Sequence, residues 1–156
     1  MRRADFSYLD YFFMKEALKQ AVKAFKSEEV PVGAVVVDSE GRIIARQRNR
    51  ILERNDPTAH AEILAIKEAC QKVGNYRLNG CKVYVTLEPC PMCAYAMVLA
   101  RIEELIVATL DPKTGAACSL YQIINDSRLN HRIKLKIGVF KDIASELLKT
   151  FFILRR

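Results

Sequence analysis

Two short motifs constrain this chain more than any other feature. Residues 90–93 read CPMC, and residues 60–62, which begin 30 positions earlier, read HAE. Two thiolates and one imidazole are ligands that suit Zn²⁺, and a tetrahedral site with three protein ligands keeps its fourth position for water. We therefore expect one Zn²⁺ per chain, held by His60, Cys90 and Cys93, in a catalytic site.

The carboxylate of Glu62 completes this set without being a ligand. On a helix, side chains two positions apart point in different directions, so Glu62 need not compete with His60 for the metal. Zinc lowers the pKa of a bound water from about 15.7 to about 7. A carboxylate beside that water can carry protons, a role worth about 10² to 10⁴-fold in rate. The two motifs thus predict metal-assisted hydrolysis with Glu62 as the proton carrier.

Both motifs also carry the signals of a helix start. Residues 56–58 read DPT, which predicts a capping aspartate with proline in the first turn of an apolar helix over 59–73. Pro91 follows Cys90 in the same manner. Because a helix N-terminus carries partial positive charge, it favours thiolate over thiol. Two helices are therefore expected to direct their first turns at one metal ion.

Each motif has a simpler interpretation when it is taken alone. A single histidine is most often an ordinary surface or core residue, and a C-x-x-C pair can be a redox pair. The TLEP sequence at 86–89 argues against the redox use. A closed structural zinc site would need a fourth ligand, for which the candidates are Cys70, Cys81, Cys118 and His131. Of these, Cys70 and Cys81 are expected to be small buried hydrophobic residues.

The hydrophobic pattern alternates between helical and strand periods along the chain. It predicts helices at 8–26, 59–73, 91–100 and from 142 onward, a short helix near 120, and strands at 32–37, 42–46, 82–87, 104–110 and 133–137. This order predicts an α/β fold with a mixed five-stranded sheet and helices on both faces.

Composition limits the remaining choices. The chain has 156 residues, of which 51% are hydrophobic, and this predicts a single domain over 1–156. Its five cysteines are an odd number, which favours the reducing cytoplasm over a disulfide framework. No uninterrupted apolar run of about 18 residues predicts a membrane span.

The net charge of +7 indicates a polyanionic partner, although a merely cationic soluble surface would explain the charge equally well. The C-terminal half carries many of the basic residues: Arg128, Arg132, Lys134, Lys136, Lys141, Lys149, Arg155 and Arg156.

These motifs and their surroundings resemble the cytidine deaminase superfamily, whose zinc signature has the form H-x-E followed by P-C-x-x-C. The chain is most similar to the bacterial tRNA-specific adenosine deaminases within it. The matching segments are EVPVGA at 29–34, NR at 49–50, DPTAHAE at 56–62, NYRL at 75–78, TLEPC at 86–90, DPKTGAA at 111–117 and FF at 151–152. The zinc signature alone fits several deaminases, whereas the 75–78 and 111–117 segments favour the tRNA enzymes.

The resemblance implies a three-layer cytidine deaminase-like fold and hydrolytic deamination of adenosine to inosine at the wobble position of a tRNA anticodon. It implies a tRNA anticodon stem-loop as partner and a homodimer whose two chains together form the RNA surface. The enzymatic alternative is deamination of a free nucleobase or nucleotide, such as cytosine or guanine. A noncatalytic, zinc-stabilised RNA-binding module is the alternative from a different class.

The same resemblance assigns the substrate contacts. It implies that Asn49 reaches the target nucleoside and that Asp111 contacts neighbouring nucleotides, while turn formation is the alternative role of both residues. Walls around a flipped base are expected from Pro31, Val32, Thr109 and Leu110.

The last helix combines a packed face with further RNA contacts. Its apolar positions 143, 147, 151 and 154 recur at helical spacing, which predicts a buried face. Phe151 and Phe152 cannot both face that core, so we expect one of them, Phe152, to stack on a nucleotide. Arg155 and Arg156 are expected to contact the RNA.

Two residues depart from the family pattern, which has glycine at both places. Tyr95 lies in an apolar helix and is therefore expected to be buried or to lie in a subunit interface. Cys118 would cost about 1–2 kcal/mol if its backbone were left-handed.

Overall fold

A computed structural model describes residues 5–155 as one sheet with helices around it. The helices are α1 (Tyr8–Lys26), α2 (Ile51–Arg54), α3 (Ala61–Val73), α4 (Pro91–Leu99) and α5 (Lys141–Leu154), and the strands are β1 (Gly33–Val37), β2 (Ile43–Arg48), β3 (Lys82–Leu87), β4 (Glu104–Thr109) and β5 (Lys134–Ile137). Within the described residues, no helix is both long enough and apolar enough to cross a membrane.

The sheet is mixed, with strand order β2-β1-β3-β4-β5. Strand β1 runs antiparallel to both of its neighbours, whereas β3, β4 and β5 are parallel to one another. The last residues of β3 and β4 therefore lie at the same edge as the first residue of β1 and the last residue of β2. We call this edge the site edge.

Helices cover the sheet on both sides, which confirms the predicted three-layer α/β fold. Strand β1 alternates between the two faces: Val35 and Val37 pack in the cluster that contains α1 residues, and Ala34 and Val36 pack in the cluster that contains α3 and α4 residues. Helix α5 joins α1 on the first face through Ala144.

Helix α1 lies directly against the start of β1. A Cβ added to Gly33 would come within 2.0 Å of the Ala17 carbonyl oxygen, so only glycine allows this approach. In the first turn of α1, Asp10 forms a capping box with Ser7. Its carboxylate also accepts hydrogen bonds from Tyr84 Oη at 2.8 Å and Lys136 Nζ at 3.1 Å. This buried carboxylate ties α1 to β3 and β5.

The predicted elements are present within one or two residues of their expected ends, with three corrections. Helix α3 begins at Ala61 rather than residue 59, and its capping residue is His60 rather than Asp56, whose carboxylate instead closes a turn at Thr58. The short helix expected near residue 120 is wrong, since residues around Leu120 form turns and irregular backbone.

The predicted face of the last helix is also partly wrong. Phe151 is buried, but Ile143 and Leu154 are more than half exposed. The buried residues of α5 are Ala144, which packs in the cluster that contains α1 residues, and Phe151, whose ring contacts Phe25 of α1. The pattern failed because the exposed part of this helix is almost as apolar as the buried part.

Candidate zinc centre and substrate cleft

Two helix N-termini meet at the site edge and bring the metal-binding side chains together. His60 caps α3 and Cys90 caps α4, both with extended backbone, and Cys93 lies in the first turn of α4. Pro91 occupies the first helical position after Cys90, as the sequence predicted. The helix starts, and not the helix bodies, therefore set the positions of all three ligands.

The three ligand atoms have the spacing of a tetrahedral zinc site. His60 Nδ1 lies 3.6 Å from Cys90 Sγ and 3.5 Å from Cys93 Sγ. Zn–S bonds of about 2.3 Å and Zn–N bonds of about 2.0–2.1 Å at tetrahedral angles place nitrogen and sulfur about 3.6 Å apart. The chain thus holds a preformed site for one zinc ion.

No fourth His, Cys, Asp or Glu ligand joins this cluster in the part of the chain that the structure describes. The other candidates are engaged elsewhere: His131 Nε2 lies 2.6 Å from the Ile102 carbonyl oxygen, and Cys70 donates to the Tyr76 carbonyl oxygen. Cys81 is buried in the core, as expected, while Cys70 is only partly buried. Three protein ligands leave a coordination position for water, as catalytic zinc sites require.

The metal-free site already favours negative charge on one sulfur. A hydrogen bond from Cys93 and the neighbouring His60 imidazole lower the pKa of Cys90 to about 4, although burial opposes this shift. The same hydrogen bond, together with burial, raises the pKa of Cys93. Contact with the Cys90 thiolate raises the pKa of His60. Zinc binding would therefore displace a proton from Cys93 and find Cys90 already ionised.

Glu62 lies in the first turn of α3, two residues after His60. Its side chain is only 4% exposed, and burial raises its pKa to about 7. Glu62 does not belong to the group of ligand atoms. A buried carboxyl group that is neither fully ionised nor fully protonated near neutral pH suits proton transfer in both directions.

Asn49 connects the end of β2 to the start of helix α3. Its Oδ1 accepts a hydrogen bond of 2.8 Å from the Ala61 backbone N–H, the residue between His60 and Glu62. Asn49 is 6% exposed, so this contact is shielded from water. The side chain therefore satisfies a free N–H of the α3 N-terminus, a structural role that the sequence did not separate from the nucleoside contact assigned by resemblance.

A cleft of about 810 Å³ opens at the site edge between the sheet and α5. Its walls include Val30, Leu87, Thr109, Leu110, Asp111, Leu148, Lys149, Phe152 and Ile153. Phe152 is 52% exposed while Phe151 is buried, and the two rings meet edge to face with their centroids 5.3 Å apart. Pro31 and Val32 are buried beside the start of β1.

The loop that follows β4 forms one side of this cleft. Asp111 accepts hydrogen bonds from the backbone N–H groups of Lys113 and Thr114 and from the Thr114 hydroxyl group. Its carboxylate therefore closes the turn, which is the alternative role that its sequence position suggested. Cys118 is not among the described residues with positive φ, so its backbone does not carry the strain of a left-handed conformation.

Several basic residues that suggested a polyanionic partner are paired within the chain. Arg128 bonds to Asp126, and Lys136 contacts both Asp10 and Glu104. Lys149 lines the cleft, and the Arg155 guanidinium group lies 4.6 Å from the centre of the Phe151 ring. Arg156 lies outside the described residues.

Glu88 is a buried site residue that the sequence motifs included without revealing its role. Its carboxylate accepts hydrogen bonds from the loop after β4, although it has no place in the zinc set. Burial opposes ionisation of Glu88, but hydrogen bonds from Ser119 and the backbone outweigh it and lower its pKa. The only sequence signal was an acidic residue directly ahead of a cysteine motif.

Comparison with known proteins gives a family match and a close relative in sequence. A model of the cytidine and deoxycytidylate deaminase zinc-binding region matches residues 8–109. The tRNA-specific adenosine deaminase of Aquifex aeolicus is 51% identical over 141 residues, which cover 90% of this chain and 92% of that protein.

Two solved structures extend the comparison. One comes from work on A-to-I editing by tRNA:A34 deaminases at the wobble position of transfer RNA; it is 44% identical, with a TM-score of 0.84, and covers 88% of this chain and 99% of its own. The guanine deaminase of Bacillus subtilis is 40% identical, with a TM-score of 0.60, over 64% of this chain and 63% of its own.

We predict that the purified protein contains one zinc per chain and that Cys90→Ala removes it, because two remaining ligands cannot hold the ion tightly. Elemental analysis after dialysis measures the stoichiometry. Cys118→Ala is the matched control and should keep its zinc, since Cys118 lies outside the ligand group. Zinc retained in Cys90→Ala, or lost in Cys118→Ala, would show that the ligand set is wrong.

Proposed function

This chain belongs to the cytidine deaminase superfamily and, within it, to the tRNA-specific adenosine deaminases, and on that premise we propose that it converts adenosine to inosine at the wobble position of a tRNA anticodon. The reaction is hydrolytic: water adds at adenine C6, and the exocyclic amino group leaves as ammonia. Zinc, when bound by His60, Cys90 and Cys93, supplies the Lewis acid that activates the water.

The observation that carries the proposal is the buried Glu62 carboxyl group beside a three-ligand zinc site. Glu62 takes a proton from the attacking water, delivers one to the ring nitrogen N1, and finally protonates the leaving amino group. Its low exposure of 4% keeps bulk water from exchanging these protons. Asn49 holds the Glu62 helix in place through Ala61 and directs its amide group to the nucleoside.

The cleft supports a substrate larger than a nucleobase. Thr109 lines the cleft and walls the flipped base, and Asp111 lies where a flanking nucleotide would follow. Pro31 and Val32 are buried and do not line this cleft, so their part as walls rests on the resemblance. The half-exposed Phe152 ring offers a stacking surface, worth about 1–3 kcal/mol per base. Arg155, which follows helix α5, adds positive charge for the phosphates, and Arg156 is expected to add to that charge.

Guanine deamination is the second candidate, because the guanine deaminase of Bacillus subtilis shares 40% identity over the matched region. That match covers 64% of this chain, whereas the match to the tRNA-editing structure covers 88%. A noncatalytic zinc module is disfavoured, since such a module needs no open metal position and no buried carboxyl group beside it.

We further propose that two copies pair through α4. Met92, Tyr95 and Leu99 lie on one side of this helix and are 36%, 46% and 55% exposed. An apolar stripe on a helix is normally covered by another element. Tyr95 is therefore not buried within its own chain, and a subunit interface explains a large ring there.

Five free thiols, two of them metal ligands, suit the reducing cytoplasm as the place of action.

Glu62→Gln should lower deamination of an anticodon stem-loop by about 10² to 10⁴-fold, because the amide cannot carry protons. Zinc content and stem-loop affinity should remain unchanged. Glu68→Gln, on the same helix but facing β2 through Gln47, is the control and should keep full activity. Single-turnover inosine formation measures the effect, and full activity in Glu62→Gln would refute the mechanism.

Affinity for the stem-loop should fall linearly with salt on a logarithmic scale, because bound phosphates release counterions. Replacing Arg155 and Arg156 by alanine should flatten the slope by about 0.7 for each lost phosphate contact. Arg42→Ala, at the opposite edge of the sheet and paired with Asp38, should leave the slope unchanged. If free guanine or cytosine were turned over faster than the stem-loop, at a rate that does not depend on salt, the free-base alternative would be correct instead.

Sedimentation should show a dimer that Tyr95→Asp converts to a monomer, since a charge in an apolar interface is costly to desolvate. Tyr8→Asp places the same charge on α1, where Tyr8 is 82% exposed, and should leave the dimer intact. A monomeric wild-type protein at micromolar concentration would exclude the pairing.

A further inference from the structure

Glu88 lies between helix α4 and the loop after β4, which forms one wall of the cleft. It follows the last residue of β3 and precedes the Cys90 cap of α4 by two positions. Only 2% of the residue is exposed, so its charge needs partners inside the protein. All of the hydrogen-bond partners of its carboxylate come from one segment, residues 111–119.

The carboxylate receives five hydrogen bonds from that segment. Oε1 accepts from the Asp111 backbone N–H at 3.0 Å and from the Ser119 hydroxyl group. Oε2 accepts from the backbone N–H groups of Ala117, Cys118 and Ser119 at 3.1, 2.9 and 2.9 Å. Both ends of the loop, at 111 and at 117–119, are therefore bound to a single side chain.

The middle of the loop is shaped to fit around the same carboxylate. A Cβ added to Gly115 would come within 2.3 Å of Glu88 Cδ and 2.4 Å of the Asp111 carbonyl oxygen. Two backbone bonds continue the contact, from Glu88 N–H to the Thr109 carbonyl oxygen and from Ala116 N–H to the Pro89 carbonyl oxygen. The loop thus closes on Glu88 with no space for another side chain.

We infer that Glu88 is a positioning residue, which fixes the substrate-facing loop against the start of helix α4. Asp111 and the cleft wall therefore keep a constant position relative to the metal. The inference rests on the proposed function, because it assigns the loop a role in holding the RNA. It predicts that loosening this anchor weakens the stem-loop complex without removing the metal or the Glu62 chemistry.

Glutamine at position 88 breaks the anchor with little change of shape. The NH₂ group of glutamine cannot accept a hydrogen bond. Whichever carboxylate oxygen it replaces, the N–H groups at one end of the loop lose their acceptor. The orientation that keeps the three partners of Oε2 leaves the Asp111 N–H facing a second donor. The loss falls on the end of the loop that lines the cleft.

The test compares wild type, Glu88→Gln and the control Glu104→Gln. Glu104 is another poorly exposed glutamate, paired with Lys82 and Lys136 at the far edge of the sheet. Hydrogen exchange of the 111–119 amides should rise in Glu88→Gln alone. The KM for the stem-loop should rise about tenfold, equivalent to one charge-assisted hydrogen bond, with kcat and zinc content close to wild type.

Ser119→Ala removes only the hydroxyl donor to Oε1 and serves where Glu88→Gln does not fold; it should raise exchange and KM in the same direction but by less. Unchanged loop exchange and KM in either folded variant would overturn the positioning role, as would loss of zinc in place of a KM effect. A wild-type protein that does not deaminate the stem-loop would instead overturn the proposed function, and the exchange measurement would still decide whether Glu88 holds the loop.

Discussion

The convergence of one imidazole and two thiols on a point between two helix starts is the constraint on which the rest of the site depends. His60 Nδ1 lies within 3.6 Å of the Cys90 and Cys93 sulfur atoms, and removing these three polar groups from water costs free energy that a shared cation would offset. The chain reduces this cost by placing Cys90 at the N-cap and Cys93 in the first turn of α4, where free N–H groups favour negative charge. The parallel pairing of β3 and β4 and the reversal at β1 bring the necessary chain ends to the same edge.

Buried polar side chains then fix the segments around the metal ligands. Asn49 holds the first residue of α3, Glu29 accepts the backbone N–H groups of Leu52 and Glu53 at the start of α2, and Glu88 gathers the loop after β4. Each is less than one-tenth exposed and accepts hydrogen bonds from backbone N–H groups, to which Glu88 adds one from the Ser119 hydroxyl group. Loops that carry substrate contacts are the mobile part of most folds, so these anchors supply the order that regular secondary structure does not.

The sequence predicted the zinc ligands and most of the fold because both depend on local patterns. The HAE and CPMC motifs, the proline after Cys90 and the alternation of the strands are each visible within ten residues. The role of Glu88 was not visible, since its partners at 111–119 lie more than 20 positions away and bond through backbone atoms that have no sequence signature. The helix expected near residue 120 failed for the same reason: these N–H groups bond to Glu88 instead of to a helix. For Asn49 and Asp111 the sequence could not separate a structural role from a substrate contact, and the structure shows the structural role of each.

The central claim is that the chain supplies three ligands to a catalytic zinc ion and leaves one position open. X-ray absorption at the zinc edge of the purified protein tests it most directly. Two sulfur neighbours at about 2.3 Å and two nitrogen or oxygen neighbours at about 2.0–2.1 Å are expected, one of the latter exchanging with an added substrate analogue. A shell of three or four sulfur atoms, or two light atoms unaffected by the analogue, would contradict the claim and indicate a closed structural site.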